Sequence, residues 1–301
     1  MAARWSASLL ACQLLLAAGL AAALAAVFGL SGPAIAAVAA AELCGVALLL
    51  AVAPLALARS VAPACVPRGH MGRLLGALCS DALAFEAALG RMALEPCRAP
   101  PDLLAADPLL VRPMLLVHGF ACSRAVWRPL IAKLRAAGVG PVRAVSLEPL
   151  FAGIETYAAK LLAELEALGS LAAGNAITIV THSMGALVAR AALRGTPPGL
   201  VGRIVTIGAP HHGTALACRF RCASTRQMCP GSSWLEELNA RQEGRLDIPV
   251  TTLYSLDDNY IVPASSARFQ GAHTIELEGL GHLGLLVSPR VLERVMSELL
   301  Q

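Results

Sequence analysis

The sequence predicts an α/β fold, a mostly parallel sheet flanked by helices, preceded by an N-terminal transmembrane helical hairpin. Two observations carry the first part. From residue 114 onward, short β-branched runs alternate with helix-forming segments, and the runs are apolar almost throughout, as strands covered on both faces are. The second part rests on residues 1–58, an apolar stretch whose only charges are Arg4 and Glu42.

The composition agrees. Of 301 residues, 56% are hydrophobic and only 15% charged, and arginine outnumbers lysine 22 to 2. The net charge of +4 falls in no long basic run and aromatic residues are few, so nucleic-acid binding gets no support.

Two apolar spans, about 7–30 and 33–57, flank the helix-breaking Ser31-Gly32-Pro33. Each exceeds the roughly 20 residues needed to cross a bilayer core. A cleaved signal peptide is the competing reading, with Arg4 as its positive start and Ala23-Leu24-Ala25 as its cleavage site. The length of the first span and the immediate arrival of the second favour a retained anchor. Glu42 costs about 2.5–3.5 kcal/mol at mid-bilayer. Leu48, Leu49 and Leu50 offset this, and structural tolerance is preferred to a functional role. Arg4 precedes the hairpin, Arg59, Arg68 and Arg73 follow it, and the turn has none. The positive-inside bias therefore puts both ends, and the C-terminal domain, on the cytoplasmic side.

Seven cysteines lie beyond the hairpin: Cys65, Cys79, Cys97, Cys122, Cys218, Cys222 and Cys229. Their odd number and irregular spacing do not describe a disulfide framework. Cys218, Cys222 and Cys229 follow His211 and His212 without a compact Cys-x-x-Cys pattern, so no metal is expected. Residues 59–112 read as a connector, with an amphipathic helix at about 72–94 that presents Leu74, Leu75, Leu78, Ala82 and Phe85 on one face and Pro100, Pro101, Pro108 and Pro113 after it. That face is expected to pack on the domain or the bilayer surface. The connector carries no visible chemistry.

In residues 113–301 strands are expected at 114–117, 142–147, 177–181, 204–207, 250–255 and 274–277, with helices at about 127–137, 154–167, 184–193 and 289–300. The active site of a parallel sheet lies at the carboxyl ends of its strands. The central one, Ile177-Thr178-Ile179-Val180-Thr181, runs into His182-Ser183-Met184-Gly185 and then a helix-forming segment. A serine on such a strand-to-helix turn is lifted clear of the backbone, and the helix start behind it supplies partial positive charge. The usual elbow is Gly-x-Ser-x-Gly; here Gly185 is present and Thr181 stands at the first glycine position.

The other strand ends supply partners. His118-Gly119-Phe120 follows the first strand, where Phe120 and Met184 can offer the two N–H groups of an oxyanion hole. His118 itself reads as a structural histidine. Asp257 and Asp258 follow the fifth; Asp258 gives Asp-x-x-Ile-x-Pro and is preferred as the carboxylate that orients a histidine, with Asp257 as the alternative. Gly281-His282-Leu283 follows the last, placing His282 as general base. Ser183, Asp258 and His282 fall in the chain order Ser, Asp, His, each just past a predicted strand.

His118-Gly119-Phe120, Thr181-His182-Ser183-Met184-Gly185, Ala209-Pro210-His211-His212-Gly213-Thr214, the run from Arg226 to Leu235 and Gly281-His282-Leu283-Gly284-Leu285-Leu286 together resemble the bacterial triacylglycerol lipases of the α/β-hydrolase superfamily. The resemblance spans about residues 112–300 and leaves the hairpin uncovered. It implies hydrolysis of carboxylic esters with no metal or organic cofactor, a lipid or apolar ester as substrate, and, with the anchor, a place in a bacterial inner membrane. It also implies a structural or substrate-lining role for His211 and His212, and a cap over residues 215–247 from which Trp234 could contact acyl chains; a packed surface excursion is the plainer account of that segment. A thioesterase, a short-chain esterase and a catalytically idle membrane scaffold are the alternatives.

Overall fold

The computed structural model describes residues 1–28, 31–61, 71–98, 102–103, 111–170, 172 and 174–300. Cys65, Arg68, Pro100, Pro101 and Pro108 lie outside them. Two long apolar helices open the chain, α1 (Ala2–Phe28) and α2 (Gly32–Val61). By length and composition both could cross a membrane. Leu14, Leu15, Leu16 and Phe28 of α1 and Leu49 of α2 are exposed, whereas a soluble core helix would bury them.

Helix α3 (Met71–Ala93) packs against both helices of the hairpin and against the sheet domain. Leu74, Leu78 and Ala82 meet Ala47, Ala51 and Leu55 of α2 together with Leu216 and Val262. The amphipathic face thus docks on protein, between the hairpin and the domain.

The sheet has six parallel strands in the order β2-β1-β3-β4-β5-β6. They are β1 (Val111–Val117), β2 (Gly140–Val145), β3 (Ile177–His182), β4 (Val201–Ile207), β5 (Val250–Ser255) and β6 (His273–Leu277). Their β-branched residues suit a pleated surface buried on both sides, and Leu115, Leu116, Ile179 and Val180 are inaccessible. The register aligns the carboxyl ends: Val117 pairs with Val145 and Thr181, His182 with Ile207, and Ser255 with Leu277. The loops after β1, β3, β5 and β6 therefore emerge along one edge.

Helices cover both faces. On one side α4 (Arg128–Ala136) and α10 (Pro289–Leu300) bury Leu130, Ile131, Leu134, Val291, Val295 and Leu299 together with Ala88 and Met92 of α3. On the other, α5 (Ile154–Gly169) and α6 (Gly185–Ala192) bury Leu161, Leu165, Leu187 and Val188. Each such side chain contributes about 1.5–3 kcal/mol.

The segment after β4 holds a 3₁₀ turn (Ala215–Arg219), α7 (Ala223–Met228) and α8 (Ser233–Gln242). Cys218 and Cys229 form a disulfide across it. The irregular cysteine spacing does not reveal this one bond, because the turn and α7 fold back so that the two Cα atoms stand 5.0 Å apart. A short α9 (Gly284–Val287) precedes α10.

Candidate active site

Ser183 sits between β3 and α6 with φ of +55°, a conformation a non-glycine side chain adopts only where the surroundings impose it. Its N–H donates to the Ile207 carbonyl (2.9 Å) and its carbonyl accepts from Ala186 (3.0 Å), which fixes the turn. Gly185 is sterically required, since a Cβ there would come within 2.5 Å of the Val117 carbonyl oxygen. Thr181, at the other position, is buried, with its hydroxyl directed to the Val205 carbonyl of the neighbouring strand (3.5 Å).

The loop after β1 closes on the serine. A Cβ on Gly119 would lie 2.7 Å from the Ser183 Cβ, so only glycine lets this backbone pass. Phe120 follows, its ring against Phe151 (5.4 Å between centroids). Met184 is the N-cap of α6, where backbone N–H groups lack intrahelical partners. His118 accepts from Leu147 N–H at Nε2 (3.0 Å) and donates from Nδ1 to the Gly119 carbonyl (2.9 Å). Burial lowers its pKa to about 4, so it is a neutral brace of the loop.

Asp258 and His282 are joined directly. The His282 Nδ1–H donates to Asp258 Oδ2 (2.8 Å), while Asp258 Oδ1 accepts from the N–H groups of Tyr260 and Ile261 (2.8 Å each). Burial alone would depress the His282 pKa; the Asp258 carboxylate, by charge and hydrogen bond, and Asp81 further away outweigh it, and the net direction is upward. Asp257 instead pairs with Arg73 of α3 (3.0 Å) and accepts from Gly279 N–H (2.7 Å).

Ser183 and His282 open into one cavity of about 510 Å³. Its walls are almost wholly apolar. Trp5 and Leu9 come from α1, Ala53, Pro54 and Leu57 from α2, and Phe85, Ala88, Leu89 and Met92 from α3. Leu216, Ala217, Phe220, Thr225 and Met228 come from the first half of the 215–247 segment.

His211, His212 and Trp234 do not line this cavity. His211 is fully buried beneath it, within reach of Thr206 Oγ1 (3.2 Å) and Arg190 (3.4 Å) and against the Phe269 ring. Burial and the Arg190 charge hold it neutral. His212 points outward to Glu243 (3.0 Å). Trp234, half-buried against the core cluster that holds Leu235 and Leu238, donates its indole N–H to Glu155 (2.6 Å).

The sequence reading missed Asp81, Asn259 and His182. The Asn259 side chain accepts from His282 N–H (3.0 Å), His182 Nε2–H donates to the His282 carbonyl (3.3 Å), and Asp81 holds the next two N–H groups of that loop. Asp81 had a legible signal: a carboxylate at helical spacing from Leu74, Leu78 and Phe85 on a face otherwise apolar. Among the described residues no group of three or more His, Cys, Asp or Glu side chains could hold a metal ion.

A parallel sheet with a strained serine elbow after β3 and an Asp–His pair after β5 and β6 decides the architecture. The chain has the α/β-hydrolase fold. Known proteins agree with this. A family model described as "PGAP1-like alpha/beta domain" matches residues 157–267. The mature form of Bacillus licheniformis lipase BlEst2 superposes with a TM-score of 0.57 at 18% identity, covering 67% of this chain and 99% of that one. Aspergillus fumigatus lipase B superposes with a TM-score of 0.59 at 15% identity, covering 86% of this chain and 85% of that one. No curated protein matches in sequence. The hairpin and α3, which precede the α/β-hydrolase unit, supply much of the cavity wall.

Proposed function

We propose that the protein is a membrane-anchored serine hydrolase that cleaves carboxylic esters of lipids or other apolar acyl groups. The observation that carries this reading is an apolar cavity lined by both Ser183 and His282 and walled by the long apolar helices. An acyl chain fits such a space, and hairpin helices in a bilayer would open it towards lipid.

In this mechanism His282 Nε2 takes the Ser183 hydroxyl proton as the oxygen attacks the ester carbonyl carbon. The resulting oxyanion is held by the N–H groups of Phe120 and Met184. The tetrahedral intermediate collapses, His282 gives the proton to the departing alcohol, and an acyl-serine remains. Water then attacks this ester with His282 again as base, the carboxylic acid leaves, and Ser183 regains its proton. Asp258 keeps Nδ1 protonated and stabilises the imidazolium. No cofactor takes part.

Both ends of the hairpin meet the hydrolase unit, at Trp5 and Leu9 on one side and Pro54 and Leu57 on the other, which favours one membrane side for both. The arginine distribution favours the cytoplasmic face of a bacterial inner membrane. The Cys218–Cys229 bond favours an oxidising compartment instead. A C-terminal reporter fusion decides between them.

The test is a fluorophosphonate probe on the full-length chain in detergent, followed by an acyl chain-length series. Labelling of Ser183 and rising kcat/KM with chain length are expected. A folded protein that takes no label would be a scaffold, and a preference for acetyl esters or thioesters would make it a short-chain esterase or a thioesterase.

A further inference from the structure

The loop carrying His282 is held from outside the α/β-hydrolase unit. Asp81, on the buried face of α3, is almost inaccessible (1% exposed). Its Oδ1 accepts the backbone N–H groups of Leu283 (2.6 Å) and Gly284 (3.0 Å), and its Oδ2 accepts the Asn259 side-chain amide (3.0 Å). The same Asn259 amide nitrogen donates to the Ala51 carbonyl of α2 (2.7 Å), and its oxygen takes the His282 N–H (3.0 Å). Contact is tight: a Cβ on Gly281 would lie 2.5 Å from the Asp81 Cβ. About two turns earlier on α3, Arg73 pairs with Asp257 on the loop after β5 and with Glu278 on the loop that carries His282.

We infer that Asp81 is a positioning residue for the general base, acting with Asn259 to set the backbone of residues 282–284, so that the helices before the α/β-hydrolase unit complete its active site. The inference rests on the serine-hydrolase reading above. Three donors converge on one carboxylate, and one of them, the Asn259 amide, also reaches the Ala51 carbonyl of α2, so displacing α3 would free the Leu283 and Gly284 N–H groups and leave the Asn259 amide, which holds the His282 N–H, without its carboxylate partner. The carboxylate also adds a negative charge behind the imidazole.

The charged and titratable groups that face His282 are Asp258 on its own side of the sheet, Asp81 from α3, His182 from the elbow and the Tyr260 ring (5.2 Å). His182 is held neutral by burial and by the His282 charge. Asp81 is thus the one carboxylate besides Asp258 among these neighbours.

The experiment compares wild type, Asp81→Asn and Asn259→Ala as full-length chains in detergent, measuring fluorophosphonate labelling and kcat/KM for an acyl ester across pH. Asp81→Asn keeps an acceptor oxygen but loses the charge and turns an amide donor towards Asn259. It should lower kcat/KM at least about tenfold, the scale of a hydrogen bond to a charged group. Its acid limb should also move to lower pH, because the imidazolium loses a stabilising charge. A purely structural role would lower the folded fraction without moving that limb. Asn259→Ala should lower kcat/KM in the same way and does not depend on Asp81→Asn folding. Folded variants with wild-type kcat/KM, or an unmoved acid limb in Asp81→Asn, overturn the inference. A wild type that takes no label overturns the serine-hydrolase reading itself, which is a separate result.

Discussion

Asp258 Oδ2 lies 2.8 Å from His282 Nδ1, whereas its neighbour Asp257 turns away to Arg73, 3.0 Å distant. Two adjacent carboxylates, almost identical in sequence context, are thereby given different work. Asp258→Asn should therefore reduce kcat/KM by about 10⁴-fold through the wrong imidazole tautomer. Asp257→Asn should cost stability through lost contacts to Arg73 and Gly279 while leaving kcat/KM within about tenfold. Paired kinetics and thermal melts check this; equal kinetic losses in both variants would sink the assignment.

The pH profile follows from the same pair. The pKa of His282 is pushed above its ordinary 6.5, and the base works only when neutral. Activity should thus fall as pH drops through a midpoint above about 6.5. For stability the sign is opposite: a raised histidine pKa contributes stability in full below the unfolded value and loses it as pH rises through the folded one. Asp258→Asn should lower the acid-limb midpoint, which a pH series on residual activity reads.

Gly119 is the residue that lets the β1 loop pass the nucleophile, with a hypothetical Cβ 2.7 Å from that of Ser183. Gly119→Ala should move the Phe120 N–H and cost about 10²-fold in kcat, the scale of a lost oxyanion donor. The sheet does not depend on this position, so circular dichroism should stay unchanged.

Ala53 of α2 lines the cavity near its exposed side. Ala53→Trp should fill part of the acyl space and lower kcat/KM for long-chain esters at least about tenfold, roughly the binding of one or two methylenes, while acetyl esters are spared. Equal effects on both would argue that acyl chains lie elsewhere.

The Cys218–Cys229 bond closes a loop with a sequence separation of 11. A non-reducing peptide map should recover the linked pair, and Cys218→Ser with Cys229→Ser should lower stability by up to about 3 kcal/mol on the chain-entropy account. Recovery of both as free thiols from the native membrane would place the α/β-hydrolase unit in a reducing compartment.

The local features were legible in the sequence because their causes are local. Alternating apolar runs and helical periods announced all six strands and the four principal helices of the sheet domain to within a few residues, and β5 and α10 matched in full. The serine elbow announced itself through Gly185, since a strand-to-helix turn leaves no room for a side chain there. Whether His211, His212 and Trp234 face the cavity was not legible, because a motif records which turn a residue belongs to, not which way the turn faces.

By itself, then, the sequence determined the two apolar helices, the alternating α/β pattern and the order Ser183, Asp258, His282 along the chain, all of which depend on residue type and short-range period. Only the tertiary structure decided that Asp81, 202 positions before the Leu283 N–H it accepts, stands behind the base, that the hairpin walls the cavity, and that Cys218 meets Cys229. Contacts over such separations depend on how whole helices dock, and docking is driven by buried area that many sequences can supply equally well.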